Sequence, residues 1–342
     1  MKAFVLLLLT LVFAVPGWAQ KPAETNKPVF ISKPLQHFGC CDASAGVAVT
    51  SNLFIVANDE DNSLRIYRRD KSGPAVQSYQ AGPFLHVDPK KPETDLEGAA
   101  TMGNRIYWIT SHGRNREGEA RESRHRFFAT TFSVTDNGRV ELKAVGQPYT
   151  RLLTDFINEP RLGKFGMRQA SMLAPKEKGG LNIEGLCATT NGQLLIAFRN
   201  PIPNQHALIV PLKNPSEVVA GQRAQFGDPI LLDLGNRGIR DIDWIGDRFL
   251  IIGGAYDGKG RFNLYEWSGG KDQPRKIPET HFKDMNPEAL VAYPGSSPNE
   301  FQILSDDGTR KLAGEDCKTV KDPSRKWFRS FWITMPEGKV GQ

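Results

Sequence analysis

Cysteine and histidine are scarce in this sequence. Its 342 residues include four cysteines and six histidines, and no second cysteine or histidine pair stands at the spacing of metal ligands. Structural zinc sites need such pairs, so a zinc-stabilised fold is excluded. The scarcity of histidine also disfavours transition metals, which leaves oxygen ligands as the metal chemistry open to the chain.

Long apolar runs are missing beyond the first twenty residues. Phe4–Val15 is an apolar core that follows Lys2 and is too short to span a bilayer comfortably. Pro16-Gly17-Trp18-Ala19 then supplies a helix break and small residues. We predict a secretory signal peptide over residues 1–19, with an uncleaved anchor as the alternative. No later run is apolar enough to cross a membrane, so we expect a periplasmic or secreted protein without stable membrane insertion.

The chain has no basic run interleaved with aromatic residues and no Gly/Ser linker. Its net charge of +6 is mild, which argues against nucleic acid as a partner and weakly favours small anionic ligands. Without a linker, residues 38–342 are expected to form a single domain. Residues 20–37 are expected to be flexible, with Val29–Leu35 as a possible strand that completes the last sheet.

A hairpin that recurs along the chain is the main feature present. Its best copy joins two apolar runs, Gly180–Ala188 and Gly192–Asn200, through Asn191-Gly192, which is a strong hairpin signal. Repetition of a β unit every 40–50 residues, roughly, is typical of a propeller. We therefore predict an all-β fold, a β-propeller of five or six blades with a short helical insertion around residues 150–180. The copies open at Asp42-Ala43-Ser44, Asp95-Leu96-Glu97, Asn182-Ile183-Glu184, Asp241-Ile242-Asp243 and Asn286-Pro287-Glu288.

The polar residues that open these repeats predict a site on the propeller axis. Residues two apart in a strand point to one face, and the first strand of each blade lines the central channel. Converging carboxylates need a counter-charge, and Ca²⁺ takes about six to eight oxygen ligands. We expect a divalent cation, Ca²⁺, to be held by Asp42, Glu97, Glu184, Asp243 and Glu288. The other residues expected at the channel mouth are Asp95, Asn182, Arg240, Asp241, Asn286, Asp306 and Asp307. The alternative is a purely structural role in capping turns.

Cationic side chains at the same level extend this prediction. His112, Arg114 and Arg199 follow or end the second strands of their hairpins, which return to the level where the first strands begin. Arginine forks beside a divalent cation suit a phosphate ester. We expect these three residues to bind an anion or to stabilise its developing charge. The alternative is that each arginine pairs with a nearby carboxylate as part of the scaffold.

Two of the four cysteines flank the first and last repeats. Cys41 and Cys317 approach each other if the ring closes, so a disulfide between them is favoured in an oxidising compartment. A Cys40–Cys317 bond and a strained vicinal Cys40–Cys41 bond are the alternatives. Cys187 lies within an apolar strand and is expected to be a buried thiol.

Several segments between residues 38 and 335 carry a resemblance to a known family. They are Cys41–Ala45, Asn58–Arg65, Asp95–Ala100, Ser111–Asn115, Gly179–Gly185, Phe198–Pro203, Ile239–Trp244 and Leu304–Arg310. On these segments the chain resembles a bacterial family known as domain of unknown function 3616. The resemblance implies an exported, propeller-like protein and implies no activity. The Glu-Gly strand openings are more distantly similar to those of esterase-like phytases and other calcium-dependent propeller hydrolases.

Other catalytic motifs are absent from the sequence. Ser44 lies in no Gly-x-Ser-x-Gly elbow, and Gly103 and Gly113 lack the strand–loop–helix context of a phosphate loop. Our leading hypothesis is a metal-dependent hydrolase of a small anionic ester, phosphate ester first, that uses a coordinated water as nucleophile. A non-enzymatic ligand- or protein-binding propeller and a lactone or sugar-ester hydrolase are the alternatives. Ser44 and Asp243 stand where other repeats carry Glu, so the metal site is expected to be either asymmetric or absent.

Overall fold

The structure is a computed structural model that describes residues 29–278, 280 and 282–336. The predicted signal peptide over residues 1–19 lies outside these ranges, as do residues 20–28 of the segment expected to be flexible. Among the described residues, no helix has both the length and the apolar character needed to cross a membrane.

The chain forms five antiparallel sheets, each of which is a blade of a propeller. In blades 1 to 4 the strands follow one another in chain order from the axis outwards. Blade 1 contains Ala43–Ala48, Leu53–Asn58, Ser63–Arg68 and Gln77–Gln80. Blade 2 contains Leu96–Met102, Arg105–Thr110, Phe127–Val134 and Val140–Tyr149. Blade 3 contains Asn182–Ala188, Leu194–Asn200, Ala207–Leu212 and Ile230–Leu232. Blade 4 contains Gly238–Ile245, Arg248–Gly254, Asn263–Trp267 and Arg275–Lys276.

Blade 5 is built from both parts of the chain. Its first three strands come late in the sequence and are Pro287–Val291, Glu300–Ser305 and Trp327–Thr334. Leu35–Phe38 then pairs antiparallel with Trp327–Thr334, and Phe30–Ile31 pairs with the far end of the same strand. Gly73–Pro74 adds a short parallel strand at the outer edge. The closing strand expected over Val29–Leu35 is thus found as two short strands within residues 30–38.

The first strand of each blade, called here the inner strand, packs between the inner strands of the two neighbouring blades. The contacts run from blade 1 through blade 5 and back to blade 1, so the ring is closed with five blades. The prediction of an all-β propeller is therefore confirmed, and the choice between five and six blades is decided for five. The long interval between the second and third repeats holds an insertion rather than an extra blade.

Helical structure is a minor part of the described chain. The insertion between blades 2 and 3 contains the helices Leu152–Asn158 and Met167–Ala170, with the 3₁₀ turn Pro160–Phe165 between them. The other α-helices are Gly82–Leu85 and Pro215–Val219. The remaining 3₁₀ turns are Glu122–Arg124, Pro203–Gln205, Cys317–Thr319 and Pro323–Arg325, and Lys311–Leu312 pairs with Glu315–Asp316 in a small hairpin.

The hydrophobic core is divided among the five interfaces between blades. Successive residues of a strand point to opposite faces of its sheet. In blade 2, Trp108 packs towards blade 1 and Ile109 towards blade 3. In blade 3, Ile196 packs towards blade 2 and Leu195 towards blade 4. Because both faces of every blade are covered, the middle strands are continuous apolar runs rather than alternating ones.

Each inner strand carries a β-bulge near its start. In every blade the pairing with the second strand skips one residue of the inner strand, and in blade 3 it also skips Arg199 of the second strand. A bulge bends the strand and redirects the side chain of the extra residue. The five bulge residues are Ser44, Glu97, Glu184, Arg240 and Glu288.

A disulfide joins Cys41, just before the inner strand of blade 1, to Cys317 in the loop of blade 5. This is the pair that the sequence favoured over the two alternatives with Cys40. Cys40 and Cys187 are buried free thiols.

We predict that Cys317→Ser lowers the free energy of unfolding by about 2 to 4 kcal/mol, because the bond closes a very long loop in the unfolded chain. Urea unfolding measures the loss. Cys41→Ser should cost about as much, and the double variant should cost little more than either single one. If Cys40 were the true partner, Cys41→Ser would leave the stability nearly unchanged, which would contradict the pairing.

Candidate functional site

The five bulges lie near the end of the channel at which the inner strands begin, called here the acidic mouth. Asp42, Asp95, Asn182, Gly238 and Asn286 stand two residues before the respective bulges. The opposite mouth is the end where the inner strands finish. In blade 4, Arg240 rather than Asp243 occupies the bulge, so the repeat there is offset from the one that the sequence suggested.

Arg240 bridges the bulge glutamates of the two blades beside it. Its Nε lies 3.0 Å from Glu184 Oε2 of blade 3 and 2.8 Å from Glu288 Oε2 of blade 5, and its Nη2 also contacts Glu288. All three side chains are buried. Burial, followed by the charge of Arg199, lowers the pKa of Arg240 to about 10, so the guanidinium remains protonated at neutral pH.

Glu184 is further surrounded by donors from its own blade. Arg199 Nη1 lies 2.6 Å from Glu184 Oε1, and Asn182 Nδ2 donates to the same oxygen at 2.7 Å. Ion pairs with arginine thus occupy Glu184 and Glu288, two carboxylates that the sequence assigned to a metal. Arginine side chains therefore take the place of the predicted cation at both residues.

A second group of carboxylates at the acidic mouth lies between blades 1 and 2. The acidic cluster comprises Asp42, Asp59, Glu60, Asp95 and Glu97. One oxygen each of Asp42, Asp59 and Glu60 lie within 4.8 Å of one another, and the same holds for Asp59, Asp95 and Glu97. Asp59 is common to both groups. It comes from the turn after the second strand of blade 1, which brings it back to the level of the inner-strand openings.

Only some carboxylates of the acidic cluster have a positively charged partner. Arg124 Nη1 lies 2.8 Å from Asp95, and Lys318 Nζ lies 2.8 Å from Glu60. The other three members, Asp42, Asp59 and Glu97, form no ion pair with any residue in the described ranges. Asp59 Oδ1 is buried and has no hydrogen-bond partner there. The cluster therefore contains one buried oxygen atom, Asp59 Oδ1, that the described residues do not satisfy.

The pKa values in the acidic cluster reflect this shortage. Burial, followed by the charge of Asp306, raises the pKa of Asp42 to about 8. Burial, followed by neighbouring carboxylates, holds the pKa values of Asp59 and Glu97 well above their ordinary values. Like charges this close cannot all ionise unless a positive charge enters the site.

Asp306 extends the cluster from the loop of blade 5. Its Oδ2 accepts a hydrogen bond from Asn286 Nδ2 at 3.1 Å, and its Oδ1 accepts one from Gly308 N at 2.7 Å. A Cβ atom on Gly308 would lie 1.6 Å from Asp42 Oδ1, so only glycine allows the loop to approach Asp42 this closely. The loop thereby carries Asp306 to the edge of the acidic cluster.

Two other carboxylates of the predicted mouth serve the scaffold. Asp307 accepts hydrogen bonds from Arg329 at 2.6 and 2.8 Å, within blade 5. Asp241 Oδ2 accepts a hydrogen bond from the backbone N–H of Leu290 at 2.6 Å, which ties blade 4 to blade 5. Both interactions join segments far apart in the chain, so sequence spacing could not reveal them.

Two of the three predicted anion-binding residues have structural roles instead. His112 is buried and its Nδ1 donates to the backbone oxygen of Thr110 at 2.8 Å. Burial, with a smaller contribution from His125, lowers its pKa to about 3, so the imidazole is neutral. Arg114 donates to the backbone oxygens of Ser171 and Gly118, both at 2.9 Å. The two bonds of Arg114 hold the loop between the second and third strands of blade 2 against the insertion, so His112 and Arg114 have structural roles in place of the predicted anion-binding ones.

A cation that the sequence did not single out replaces them. Asn200 Nδ2 donates to the backbone oxygens of Pro175 and Glu177 at 2.9 and 2.7 Å, which holds Lys176 over blade 3. A Cβ atom on Gly258 would lie 3.1 Å from Arg199 Nη2 and 3.9 Å from Lys176 Nζ, so the two groups flank one point.

We call Lys176 Nζ and Arg199 Nη2 the cation pair. Neither atom has a hydrogen-bond or ion-pair partner within the part of the chain that the structure describes. Partial burial, followed by the charges of Arg199 and Arg240, lowers the pKa of Lys176. Lys176 is exposed to solvent and lies beside the positive charges of Arg199 and Arg240, with the carboxylates of Glu184 and Asp306 also acting on it.

Asp243 does not join the residues of the acidic mouth. It lies at the opposite mouth, beside Ala100, Ala188 and Val291 from other blades. The expected role of Asp243 as a ligand alongside Glu97 is therefore wrong in its placement. The sequence pattern Asp-x-Asp in blade 4 resembles the opening of the other repeats. It begins at Asp241, three residues after Gly238, which is the equivalent opening position.

Comparison with known families identifies the chain at the family level. The family model described as "Protein of unknown function (DUF3616)" matches residues 42–137 and 131–296. The chain belongs to this family. No curated protein matches it.

Solved structures resemble this DUF3616 protein only remotely. The PQQ-bound aldose sugar dehydrogenase of Streptomyces coelicolor is 9% identical over 90% of this chain and 98% of its own, with a TM-score of 0.46. The GH43 β-1,3-galactosidase BT3683 is 10% identical over 88% of this chain and 92% of its own, with a TM-score of 0.45. The xyloglucan-locus protein GH43B of Bacteroides ovatus is 11% identical over 91% of this chain and 56% of its own, with a TM-score of 0.48. Likeness at this level carries no inference about activity, and the likeness to esterase-like phytases stays a prediction.

We predict that Arg240→Met lowers the free energy of unfolding of this DUF3616 protein by about 3 to 5 kcal/mol. The substitution leaves Glu184 and Glu288 buried without their shared counter-charge. Chemical denaturation at pH 7 measures the loss.

Arg275→Met is the matched control, since Arg275 is 70% exposed and pairs with Glu266 on the outer edge of the same blade. Exposed pairs contribute about 1 kcal/mol or less. Equal losses in the two variants would mean that the buried bridge contributes no more than a surface pair.

Proposed function

We propose that this protein is a divalent-cation-dependent hydrolase of small anionic esters, with phosphate esters as the first choice. The observation that carries the proposal is the placement of an acidic cluster and a pair of cations at one mouth of the channel. An acidic cluster that lacks counter-charge lies between blades 1 and 2. A cation pair without partners lies over blade 3, beyond the ion-paired Glu184.

The acidic cluster has the donor set of a hard cation. Asp42, Asp59, Asp95 and Glu97 supply carboxylate oxygens from two blades, and Glu60 lies at the edge. Ca²⁺ binds oxygen ligands in flexible geometry and suits such a set better than metals that prefer nitrogen or sulfur. The buried, unpartnered Asp59 Oδ1 supports this fit, because a cation would satisfy it.

The cation pair suits the charged end of the substrate. Lys176 Nζ and Arg199 Nη2 offer donors to the oxygens of a phosphate or carboxylate, and charge-assisted bonds of this kind are among the stronger ones. Asn200 holds the backbone on either side of Lys176 in place, and Glu184 holds Arg199 through its other nitrogen. The Arg199 guanidinium and the backbone that carries Lys176 are therefore positioned before the ligand arrives.

A bound divalent cation polarises an ester oxygen and lowers the pKa of a coordinated water, which is the chemistry that hydrolysis requires here. The protein's own contribution is to orient the ester between the two groups. The bridge from Arg240 to Glu184 separates them and keeps the cation pair from neutralising the acidic cluster directly. Export remains a prediction, and the Cys41–Cys317 disulfide is the feature that supports it.

We predict that CaCl₂ raises the Tm of the EDTA-treated wild-type protein by about 5 °C at saturating concentration, because a ligand that binds only the folded state stabilises it. Asp59→Asn should abolish this rise. Without calcium, the variant should be at least as stable as the wild type, since it removes one of several repelling carboxylates. Differential scanning fluorimetry measures both effects.

Asp228→Asn serves as the control for the loss of one negative charge, because the Asp228 side chain is 93% exposed and remote from the acidic mouth. This variant should keep the full response to calcium. A purely structural role for Asp59 predicts the opposite pattern, in which Asp59→Asn lowers the Tm with or without calcium. A wild-type Tm that CaCl₂ leaves unchanged would rule out the cation site.

Turnover of p-nitrophenyl phosphate should depend on the metal and on the cation pair. We expect EDTA to abolish it and Lys176→Met to raise KM by about tenfold, the effect of losing one charge-assisted contact. Hydrolysis of p-nitrophenyl acetate, which carries no charge, should not respond to Lys176→Met. Lys178→Met, an exposed lysine of the same loop, is the matched control and should behave as the wild type.

The same assay separates the alternatives. Turnover of the acetate ester alone would favour a lactone or sugar-ester hydrolase and would contradict the phosphate assignment. No turnover of either ester, in a protein that still binds calcium, would favour a non-enzymatic binding module.

A further inference from the structure

The opposite mouth of the channel contains a cavity that the proposed hydrolase does not use. Its volume is about 320 Å³, and all five blades contribute to its wall. The inner strands supply small residues there, such as Ala100 and Ala188, which leave the space open. Trp244 supplies aromatic surface, whereas Tyr293 is 5% exposed and its ring is already packed against Arg69, Phe54 and Trp332. A volume of this size lies at the lower end of the range for small-molecule pockets.

Asp243 carries the only charge among the lining residues. Its Oδ1 accepts a hydrogen bond from the backbone N–H of Trp244 at 2.8 Å. Its other oxygen has no partner, and the carboxylate forms no ion pair within the described ranges. The neighbouring carboxylate of Asp241 is turned away towards the Leu290 N–H. Asp243 is thus a lone anion in a largely apolar wall.

A second unsatisfied polar group lies in the same wall. Thr101 Oγ1, from blade 2, is buried and has no hydrogen-bond partner among the described residues. Native proteins satisfy most of their buried polar atoms, so each exception needs a reason. Thr101 Oγ1 is closed off from solvent, so Asp243 is the polar side chain that a ligand in the cavity can reach, and its charge favours a cationic ligand.

We propose that this cavity binds a small organic cation, in which an ammonium group contacts Asp243 and an apolar body packs against Trp244 and the alanine and valine side chains of the wall. The ammonium group supplies the counter-charge that Asp243 lacks. Aromatic rings attract such cations through their negative faces. The apolar wall accepts the rest of the molecule.

Other ligand classes fit the cavity less well. A calcium ion needs about six to eight oxygen ligands, and the wall offers only one carboxylate among alanine, valine and aromatic side chains. An anion would be repelled by Asp243. A neutral apolar molecule would leave the carboxylate without a counter-charge in a partly dehydrated site. Burial raises the pKa of Asp243 to about 7, and a bound ammonium group would reverse that shift.

This inference is independent of the proposed hydrolase. Asp243 and the acidic cluster lie at opposite ends of the inner strands and share no residue. A test in the presence of EDTA therefore examines the cavity alone, and either proposal can fail while the other stands.

Benzylammonium is the probe, and benzyl alcohol is its neutral counterpart of nearly the same shape. We expect calorimetric titration in EDTA at pH 8 to show the wild-type protein binding benzylammonium about tenfold or more tightly than benzyl alcohol. Asp243→Asn should abolish this preference. Because Asp243 has no ion pair to lose, the variant should keep the wild-type Tm.

Asp247→Asn is the matched control, since Asp247 lies four residues along blade 4 and its side chain is 90% exposed. It should preserve the preference for the cation, which separates a contact from the general field of the protein. Ala188→Leu, which fills the cavity wall, should weaken both probes. The proposal is overturned if wild-type protein binds neither probe saturably, or if Asp243→Asn still prefers benzylammonium.

Discussion

The architecture depends on the salt bridge from Arg240 to Glu184 and Glu288. Closing five inner strands around one axis places their bulge residues within a few ångströms of each other, and three of the five are glutamates. Carboxylates this close and this buried are unfavourable without a counter-charge. One guanidinium on the strand between the two glutamates is the counter-charge of both, with a hydrogen bond to Glu288 and an ion pair at 3.0 Å to Glu184. The ring can therefore close tightly at blades 3, 4 and 5.

The same arrangement leaves the carboxylates of blades 1 and 2 without an equivalent counter-charge. Arg240 reaches the glutamates of the adjacent blades, whereas Glu97 is two blades away and remains unpaired. Asp59 and Asp42 add further charge there without an arginine of their own. The mouth of the channel is thus divided into a neutralised part and a part that still lacks positive charge. This asymmetry, rather than the number of acidic residues, is what defines a candidate site, since an even distribution of arginines would have left no unsatisfied oxygen.

The sequence predicted the architecture well because blade formation depends on local patterns. Apolar runs joined by turns such as Asn191-Gly192 specify hairpins, and their repetition specifies a ring. The site was predicted less completely, since it depends on register and on contacts between distant segments. A bulge cannot be recognised from the alternation of polar and apolar residues in a strand. The sequence pattern therefore places Asp243 at the position that Arg240 occupies. Lys176 was hidden in an insertion without repeat character. Histidine is a residue type common in functional sites, and only the burial of His112 reveals its structural role.

Blade 5 has one further consequence, for the order in which the molecule assembles. Its strands come from the two extremes of the described chain, and the disulfide beside it connects residues 276 positions apart. Each of blades 1 to 4 is built from one continuous segment and can form while the ribosome is still adding residues. Blade 5 cannot be completed until its third strand, Trp327–Thr334, has been synthesised. Contacts of such long range are slow to form. Closure of the ring, and with it the Cys41–Cys317 bond, therefore comes after the last strand has been made, so the faces of blades 1 and 4 that pack against blade 5 are uncovered until then.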